Sequence, residues 1–219
     1  MLFCREKLLI CFTGVDGSGK TKHAKHLLHF LRKRKYSSLY VRAASRPIFV
    51  YPFLIITRIL GYWKTIKKDS WTNPLENAPP IIRKKFGMLY RFLLFIDFEI
   101  ISLLKVWLPL LFVRVVICDR YVYDLIVELA LSSLHSKNFA KLILYATPKP
   151  KRTFLTHAPP QLVVQRRPSL TIRSLHAKMV AYLKLARILD FEVVDTATKF
   201  EVNQDNIRRQ VLSFLEGTS

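Results

Sequence analysis

A glycine-rich loop between an apolar segment and a helix constrains this chain more than any other feature. The segment before it, Lys7–Thr13, is predicted to be a strand buried on both faces of a sheet, and Lys20–Lys35 is predicted to be a helix. The loop comprises Gly14, Val15, Asp16, Gly17, Ser18, Gly19, Lys20 and Thr21. It matches the pattern GxxxxGK(S/T), in which backbone N–H groups and a helix N-terminus point at an anion. The sequence therefore predicts a phosphate-binding loop.

The residue types in and beyond this loop predict ATP and Mg²⁺ as ligands. Lys20 is expected to reach the β- and γ-phosphates, and the Thr21 hydroxyl is expected to bind the metal. A second metal ligand normally follows a neighbouring buried strand, and Asp119 stands directly after the apolar run Val115–Cys118. A plain ion pair between Asp119 and Arg120 is the alternative interpretation of that carboxylate.

Composition bounds the class of protein. A chain of 219 residues with 51% hydrophobic residues suits one domain, residues 1–219, and excludes a disordered protein. Thirty-six Lys and Arg against 15 Asp and Glu give a net charge of +21, which predicts attraction to nucleotides, nucleic acid or an acidic membrane. The basic clusters are scattered and lack interleaved aromatics, so no motif favours nucleic acid or membrane.

Short apolar segments alternate with helical patterns along the chain. This alternation predicts an α/β fold with a parallel sheet. Besides Lys7–Thr13, the predicted strands are Ser38–Arg42, Val113–Cys118, Lys151–Thr156 and Phe191–Val194. The helical pattern over Ile48–Leu111 is interrupted at Ser70–Pro80, and Pro109 is predicted to end its last helix. Later helices are predicted at Val122–Leu134, Asn138–Ala146, Pro160–Arg166, Ile172–Leu189 and Val202–Leu215.

Cysteine usage and hydropathy argue for a cytoplasmic protein. Cys4, Cys11 and Cys118 lack the CxxC spacing of a zinc site, and an odd count argues against a disulfide framework. The first apolar run leads into the glycine loop rather than a cleavage site. Pro47–Thr57 is too short to span a membrane, and charged residues interrupt Phe92–Cys118.

Four blocks of sequence, in order, resemble the thymidylate kinases of the nucleoside-monophosphate kinase group. They are FTGVDGSGKT at 12–21, ICDRYVYD at 117–124, APPQLVVQRR at 158–167 and YLKLAR at 182–187. The resemblance covers nearly the whole chain. It implies a P-loop kinase three-layer sandwich, a five-stranded parallel sheet flanked by helices, with a short lid near residues 166–173. It also implies a homodimer that transfers a phosphoryl group from ATP to thymidylate or another nucleoside monophosphate.

The resemblance implies roles for acceptor-binding residues. Asp16 matches the carboxylate that contacts the acceptor's sugar, and Arg42 matches the arginine that grips its phosphate. Arg120 would be a second clamp on that phosphate. Phe95 matches the aromatic that stacks on the base, although simple core packing explains an aromatic in so apolar a helix equally well.

The lid is expected to supply the positive charge for the transition state. In this family, a loop with glycine after the acid, as at Gly17, goes with a basic group on the lid. Arg166, Arg167 and Arg173 bracket the lid and would provide it.

Four positions depart from the family pattern. Ala43 and Ala44 replace the glutamate and proline that often follow the strand arginine. Glu99 stands where an arginine usually contacts thymine, and His157 stands where an acidic residue usually follows the fourth strand. Glu99 places thymidylate as the acceptor in question, Ala43 and Ala44 weaken the match of Arg42, and His157 is assigned no role.

Two other functions fit the same residues. A nucleoside kinase would need a carboxylate to deprotonate a hydroxyl, and Glu99 is available for that role. A non-catalytic nucleotide-binding module would use the basic surface to bind nucleic acid.

Overall fold

A central five-stranded sheet organises the protein. The computed structural model describes residues 7–43, 48–62, 80–131, 136–168 and 172–217. The strand order is β2-β3-β1-β4-β5, and every neighbouring pair is parallel. The strands are β1 Leu8–Thr13, β2 Ser38–Arg42, β3 Val115–Asp119, β4 Arg152–His157 and β5 Glu192–Asp195. The predicted α/β fold with a parallel sheet is confirmed.

Helices connect successive strands. Those before β3 are α1 Lys20–Lys33, α2 Val50–Ile59, α3 Pro80–Ser102, a π-helical turn Leu103–Trp107 and α4 Leu108–Phe112. Those after β3 are α5 Val122–Leu131, α6 Lys137–Ala146, α7 Pro160–Arg166, α8 Ile172–Leu189 and α9 Phe200–Glu216. The predicted interruption at Ser70–Pro80 lies outside the described residues except for Pro80 itself, which begins α3. In the part of the chain that is described, no helix has the length and apolarity needed to cross a bilayer.

The sheet is buried on both faces because β1 and β3 are apolar up to their last residues, Thr13 and Asp119. All residues of β1 and β3 are buried. Leu8, Ile10 and Phe12 pack against α1 and α9, whereas Leu9 and Cys11 pack with α3, α5 and α8 on the opposite face. This arrangement leaves the two ends of the strands as the exposed parts of the sheet.

The prediction that Pro109 ends a helix is wrong. The helical backbone continues to Phe112, and the Val113 amide donates a hydrogen bond to the Pro109 carbonyl over 2.9 Å. Pro109 lies in the first turn of α4, immediately after the π-helical turn, where the N–H that proline lacks is not needed by the helix.

A buried carboxylate fixes the start of α2. Asp97, on α3, accepts hydrogen bonds from the backbone amides of Ile48, Phe49 and Val50 at 2.8–3.0 Å. The first amides of a helix have no partners within it, and a carboxylate satisfies both their hydrogen bonds and the positive end of the helix dipole. Asp97 therefore ties α2 to α3 across residues that are distant in sequence.

Candidate nucleotide-binding site

The glycine-rich loop has a backbone that only glycine adopts easily. Gly14 has a φ of +134°, and a Cβ at this position would lie 2.4 Å from the Thr156 carbonyl oxygen of β4. Gly19, which precedes the first residue of α1, has a φ of +97°. These conformations turn the chain sharply from β1 into α1, so the loop lies at the carboxyl ends of the strands, where parallel sheets bind ligands.

Lys20 lies inside the loop. Its ammonium donates hydrogen bonds of 2.7 Å to the carbonyl oxygens of Gly14 and Val15, and it lies 3.7 Å from Asp16 Oδ1. The side chain is buried, and burial lowers the pKa of Lys20. The loop thus holds a cation among its own backbone groups, which suits a tightly bound polyphosphate.

Thr21 and Asp119, the two predicted metal ligands, are in direct contact. Thr21 Oγ1 donates to Asp119 Oδ2 over 2.6 Å, and the hydroxyl of Tyr40 donates to the same oxygen over 2.7 Å. Among the described residues, no group of three or more His, Cys, Asp or Glu side chains could hold a metal. Mg²⁺ needs only one or two protein oxygens when substrate phosphates and water complete its shell, so this pair of oxygen donors fits it.

Tyr40 positions Asp119, and its role is testable. Replacing it with phenylalanine removes one of the two hydroxyls that orient the Asp119 carboxylate. We expect Tyr40→Phe to raise the Mg²⁺ concentration for half-maximal activity roughly tenfold, because outer-shell partners tune metal affinity to about that extent. Titration of activity with Mg²⁺ measures the effect, with Tyr36→Phe as the matched control. An unchanged Mg²⁺ requirement in Tyr40→Phe would contradict the role.

Asp16 and Arg120 form an ion pair across the mouth of the loop. Arg120 follows β3 with a φ of 65°, a left-handed conformation that costs a non-glycine residue energy and occurs preferentially at functional sites. Its amide donates to the Phe12 carbonyl of β1 over 3.0 Å, which holds this turn against the loop. Two residues expected on the acceptor side of the site are therefore in direct contact.

A cavity of about 640 Å³ surrounds the loop. Its lining brings most of the predicted site residues together and adds side chains from α1, the loop after β5 and α9. It is lined by Asp16, Gly17, Gly19, Lys20, Thr21, Lys22, His23, Arg42, Arg120, Arg166, Arg167, Thr196, Thr198, Phe200 and Asn203. Cations outnumber the one carboxylate in this lining, so the cavity suits a highly anionic ligand.

The lid arginines differ in their placement. Arg166 donates from Nη1 to the Gly17 carbonyl over 3.0 Å, and a Cβ at Gly17 would lie 3.3 Å from Arg167 Cγ. Both therefore lie beside the loop. Arg173 is exposed in the first turn of α8 and is not among the described residues that line the cavity.

Phe95 and Glu99 lie on α3 and are not among the residues described in the cavity lining. The Phe95 ring packs 6.4 Å, centroid to centroid, from Phe139 of α6. Glu99 Oε1 is buried and has no hydrogen-bond partner among the described residues, and burial raises the pKa of this carboxyl. The structure therefore joins neither of these side chains to the phosphate loop.

Besides the added residues of the cavity lining, sequence reasoning missed three residues that contact the predicted site residues or support them. Lys105, on the π-helical turn, donates to the Arg42 carbonyl over 3.0 Å. The Tyr40 hydroxyl donates a hydrogen bond to Asp119. Asp124, in the ICDRYVYD block, accepts three hydrogen bonds, whose donors lie on β1, in the turn after β3 and on α8. Tyr40 stands two residues before Arg42, on the same face of its strand, which is the signal that could have indicated it.

One end of the cavity contains a buried histidine. His23 Nδ1 lies 2.7 Å from Gln204 Nε2, and its ring lies 4.7 Å from the Phe200 ring. Burial, with a smaller effect of Lys22, lowers the pKa of His23 to about 4. The imidazole is therefore neutral at neutral pH, and it accepts the hydrogen bond from Gln204.

His23 makes the fold sensitive to acid. The unfolded chain protonates a histidine near pH 6.5, whereas the folded protein resists protonation until about pH 4. His23 therefore costs stability progressively as the pH falls through this range. Asparagine keeps a hydrogen-bond acceptor at this position but does not titrate. We therefore expect the melting temperature of His23→Asn to fall less than that of the wild type between about pH 7 and about pH 4.5. His29→Asn, at an exposed position of α1, should behave as the wild type, and equal losses in all three proteins would contradict the assignment.

Comparisons with models of known protein families and with curated proteins found no match. The resemblance to thymidylate kinases therefore rests on the residues of this chain and stays a prediction. The geometry of the site is independent of it.

Proposed function

We propose that this chain transfers the γ-phosphoryl group of ATP to the phosphate of a nucleoside monophosphate. The supporting observation is that one cavity joins the phosphate loop to Arg42, Arg120, Arg166 and Arg167. Such a transfer brings two polyanions into contact, so it needs cations on several sides of the reacting groups. The strand order β2-β3-β1-β4-β5 and the strand–loop–helix start support the P-loop kinase architecture implied by the resemblance.

Each charged group has a proposed role. Lys20 and the loop amides bind the β- and γ-phosphates, whereas Arg42 and Arg120 hold the acceptor phosphate. Arg166 and Arg167 neutralise charge on the transferring group from the lid side. Thr21 and Asp119 would hold Mg²⁺, which supplies further charge neutralisation when bound.

The reaction needs no strong base. An oxygen of the acceptor phosphate is already anionic when it forms its bond to the γ-phosphorus, and the bond from that phosphorus to the β–γ bridging oxygen breaks to release ADP. Positioning and charge neutralisation are sufficient. A nucleoside kinase would need a carboxylate at the reacting oxygen, and Glu99, its candidate, is not among the described residues that line the cavity.

A coupled ADP-release assay with ATP and Mg²⁺ tests this proposal against a panel of nucleosides and nucleoside monophosphates. We expect turnover with monophosphates, and thymidylate is the first to test because of the resemblance. Turnover with nucleosides alone would support the nucleoside kinase instead. Silence across the panel, with salt-sensitive binding of DNA or RNA, would support the non-catalytic module.

A further inference from the structure

Nine of the 36 lysines and arginines lie at the end of the sheet opposite the phosphate loop. Because the strands are parallel, the residues that precede them lie at one common edge. We call this surface the basic edge. It consists of Lys7, Arg32, Lys33, Arg34, Lys35, Arg114, Lys149, Lys151 and Arg152.

Contacts among the elements show that these segments adjoin one another. The Leu8 amide donates to the Arg114 carbonyl over 2.8 Å, and the Arg114 amide donates to the Ser37 carbonyl over 3.0 Å. The Lys151 amide donates to the Leu9 carbonyl over 2.9 Å. The cations before β1, β2, β3 and β4 thus form one continuous surface.

Few carboxylates neutralise the basic edge. Among the described residues, its ion pairs join Arg34 to Glu216 at 3.9 Å, and Arg152 to Asp190 and Glu192 at 3.6 and 3.0 Å. Lys33, Lys35, Lys149 and Lys151 are exposed, and no described carboxylate lies within 4 Å of them. The edge therefore carries a concentrated positive charge that the proposed catalysis does not use.

Large apolar side chains stand beside these cations. The last turns of the helices that lead into β3, β4 and β5 carry Phe112, Tyr145 and Ile188, which are 75%, 91% and 77% exposed, and Leu111 is 69% exposed. Lys7 Nζ donates to the Leu111 backbone carbonyl over 3.1 Å, which places this lysine beside the exposed pair Leu111 and Phe112. Exposed apolar groups next to lysines are typical of surfaces that bind the headgroup region of a bilayer.

A second cavity, of about 660 Å³, opens on the same edge. Lys149, Lys151 and Arg152 line it together with Tyr145 and Ile188. A cavity of this size with cations and apolar groups in its wall has room for the phosphate of a lipid headgroup.

We propose that the basic edge binds the surface of an anionic membrane, with Phe112, Leu111, Tyr145 and Ile188 inserted at the headgroup boundary. Lysines near an anionic leaflet and shallow apolar insertion each add affinity, and a two-part contact of this kind needs no spanning helix. The catalytic cavity, at the opposite ends of the strands, would face the solvent.

The same observations argue against two other occupants. A symmetric contact with a second copy would bring two sets of lysines together, which is electrostatically unfavourable. Two of the four exposed apolar groups, Leu111 and Ile188, are aliphatic and cannot stack on bases, whereas all four can insert among lipid headgroups, so the set favours a membrane over a nucleic acid.

Co-sedimentation of the full chain with vesicles tests the proposal. We expect binding to vesicles of equal parts phosphatidylcholine and phosphatidylserine, and none to phosphatidylcholine alone. Lys149→Glu/Lys151→Glu should weaken partitioning onto these vesicles roughly thirtyfold or more. The control Lys137→Glu/Lys184→Glu makes the same change in net charge at exposed sites of α6 and α8 and should have a much smaller effect. Leu111→Ser/Phe112→Ser should weaken it about tenfold, and Val202→Ser, exposed on α9, should not.

Several results would overturn the proposal. One is that the chain does not bind the mixed vesicles, and another is that the edge and control charge variants lose vesicle binding equally. A third is that Leu111→Ser/Phe112→Ser converts a dimer to a monomer in light scattering, which would assign the surface to a second copy. The last is that the chain binds single-stranded RNA more tightly than vesicles. Lys20→Ala should bind vesicles as the wild type does, so this test is independent of the proposed kinase activity.

Discussion

Replacing Lys20 with alanine is expected to lower the turnover number by about three orders of magnitude or more. Removal of one preorganised charge or hydrogen-bond donor from a transition state costs about that much. Lys20 is buried in the loop, and its ammonium is held 2.7 Å from the Gly14 and Val15 carbonyl oxygens. Among the described residues, Lys22 is the other α1 lysine that lines the cavity, and its ammonium lies 4.0 Å from the centre of the Phe200 ring. Lys22 is therefore not placed to replace Lys20 inside the loop.

Single-turnover kinetics with ATP and the preferred acceptor measure this loss. Lys33→Ala, which removes an exposed lysine from the last turn of the same helix, is the matched control and should keep wild-type turnover. The melting temperature of each variant separates a catalytic effect from unfolding. If Lys20→Ala keeps more than about a tenth of the wild-type rate, the phosphate loop is not the reaction centre.

Replacing Asp124 with alanine is expected to destabilise the fold by about 3–5 kcal/mol. Its carboxylate is buried and accepts hydrogen bonds from Thr13 Oγ1, the Tyr121 amide and Tyr182 Oη at 2.8–3.0 Å. Alanine would leave three buried donors without an acceptor. The donors come from the end of β1, the turn after β3 and α8, so the loss would loosen the support of the site.

Thermal and denaturant unfolding measure this effect, with a fall in melting temperature of about 10 °C expected for a chain of this size. Asp205→Ala is the control, because Asp205 is exposed on α9 and pairs only with Arg208 of its own helix among the described ion pairs. It should cost less than about 0.5 kcal/mol. Equal stabilities of the two variants would contradict the role of Asp124.

The motif that contains Asp124 illustrates what sequence reasoning could not decide. From sequence, the ICDRYVYD block indicated Asp119 and Arg120. In the structure, Asp119 accepts a hydrogen bond from Thr21 of the loop, and Arg120 lines the cavity. Asp124 follows five residues later on a helix, where an acid in the first turn is ordinary. Its significance depends on Thr13 and Tyr182, which are 111 and 58 residues away and meet it only in the folded chain.

The placement of the acceptor-binding and lid residues was the part of the candidate site that the sequence determined least. Arg42 and Arg120 line the cavity, but Phe95 packs on α6 and Arg173 is exposed on α8. Helix periodicity places a side chain on a face and leaves open which neighbour that face meets. Pro109 was misjudged for a related reason, because a proline that ends one helix and a proline that opens the next have the same local sequence.

The sequence alone determined the strand, the phosphate loop and the first helix, because these depend on contiguous residues. Buried apolar residues, glycines with positive φ and one lysine specify that backbone locally. The tertiary structure decided which distant side chains complete the site, such as Tyr40 on Asp119 and Arg120 on Asp16. It also decided where the surplus charge lies. Parallel strands collect the residues before them at one edge and those after them at the other, so the cations that precede four of the strands, though distant in sequence, form one surface.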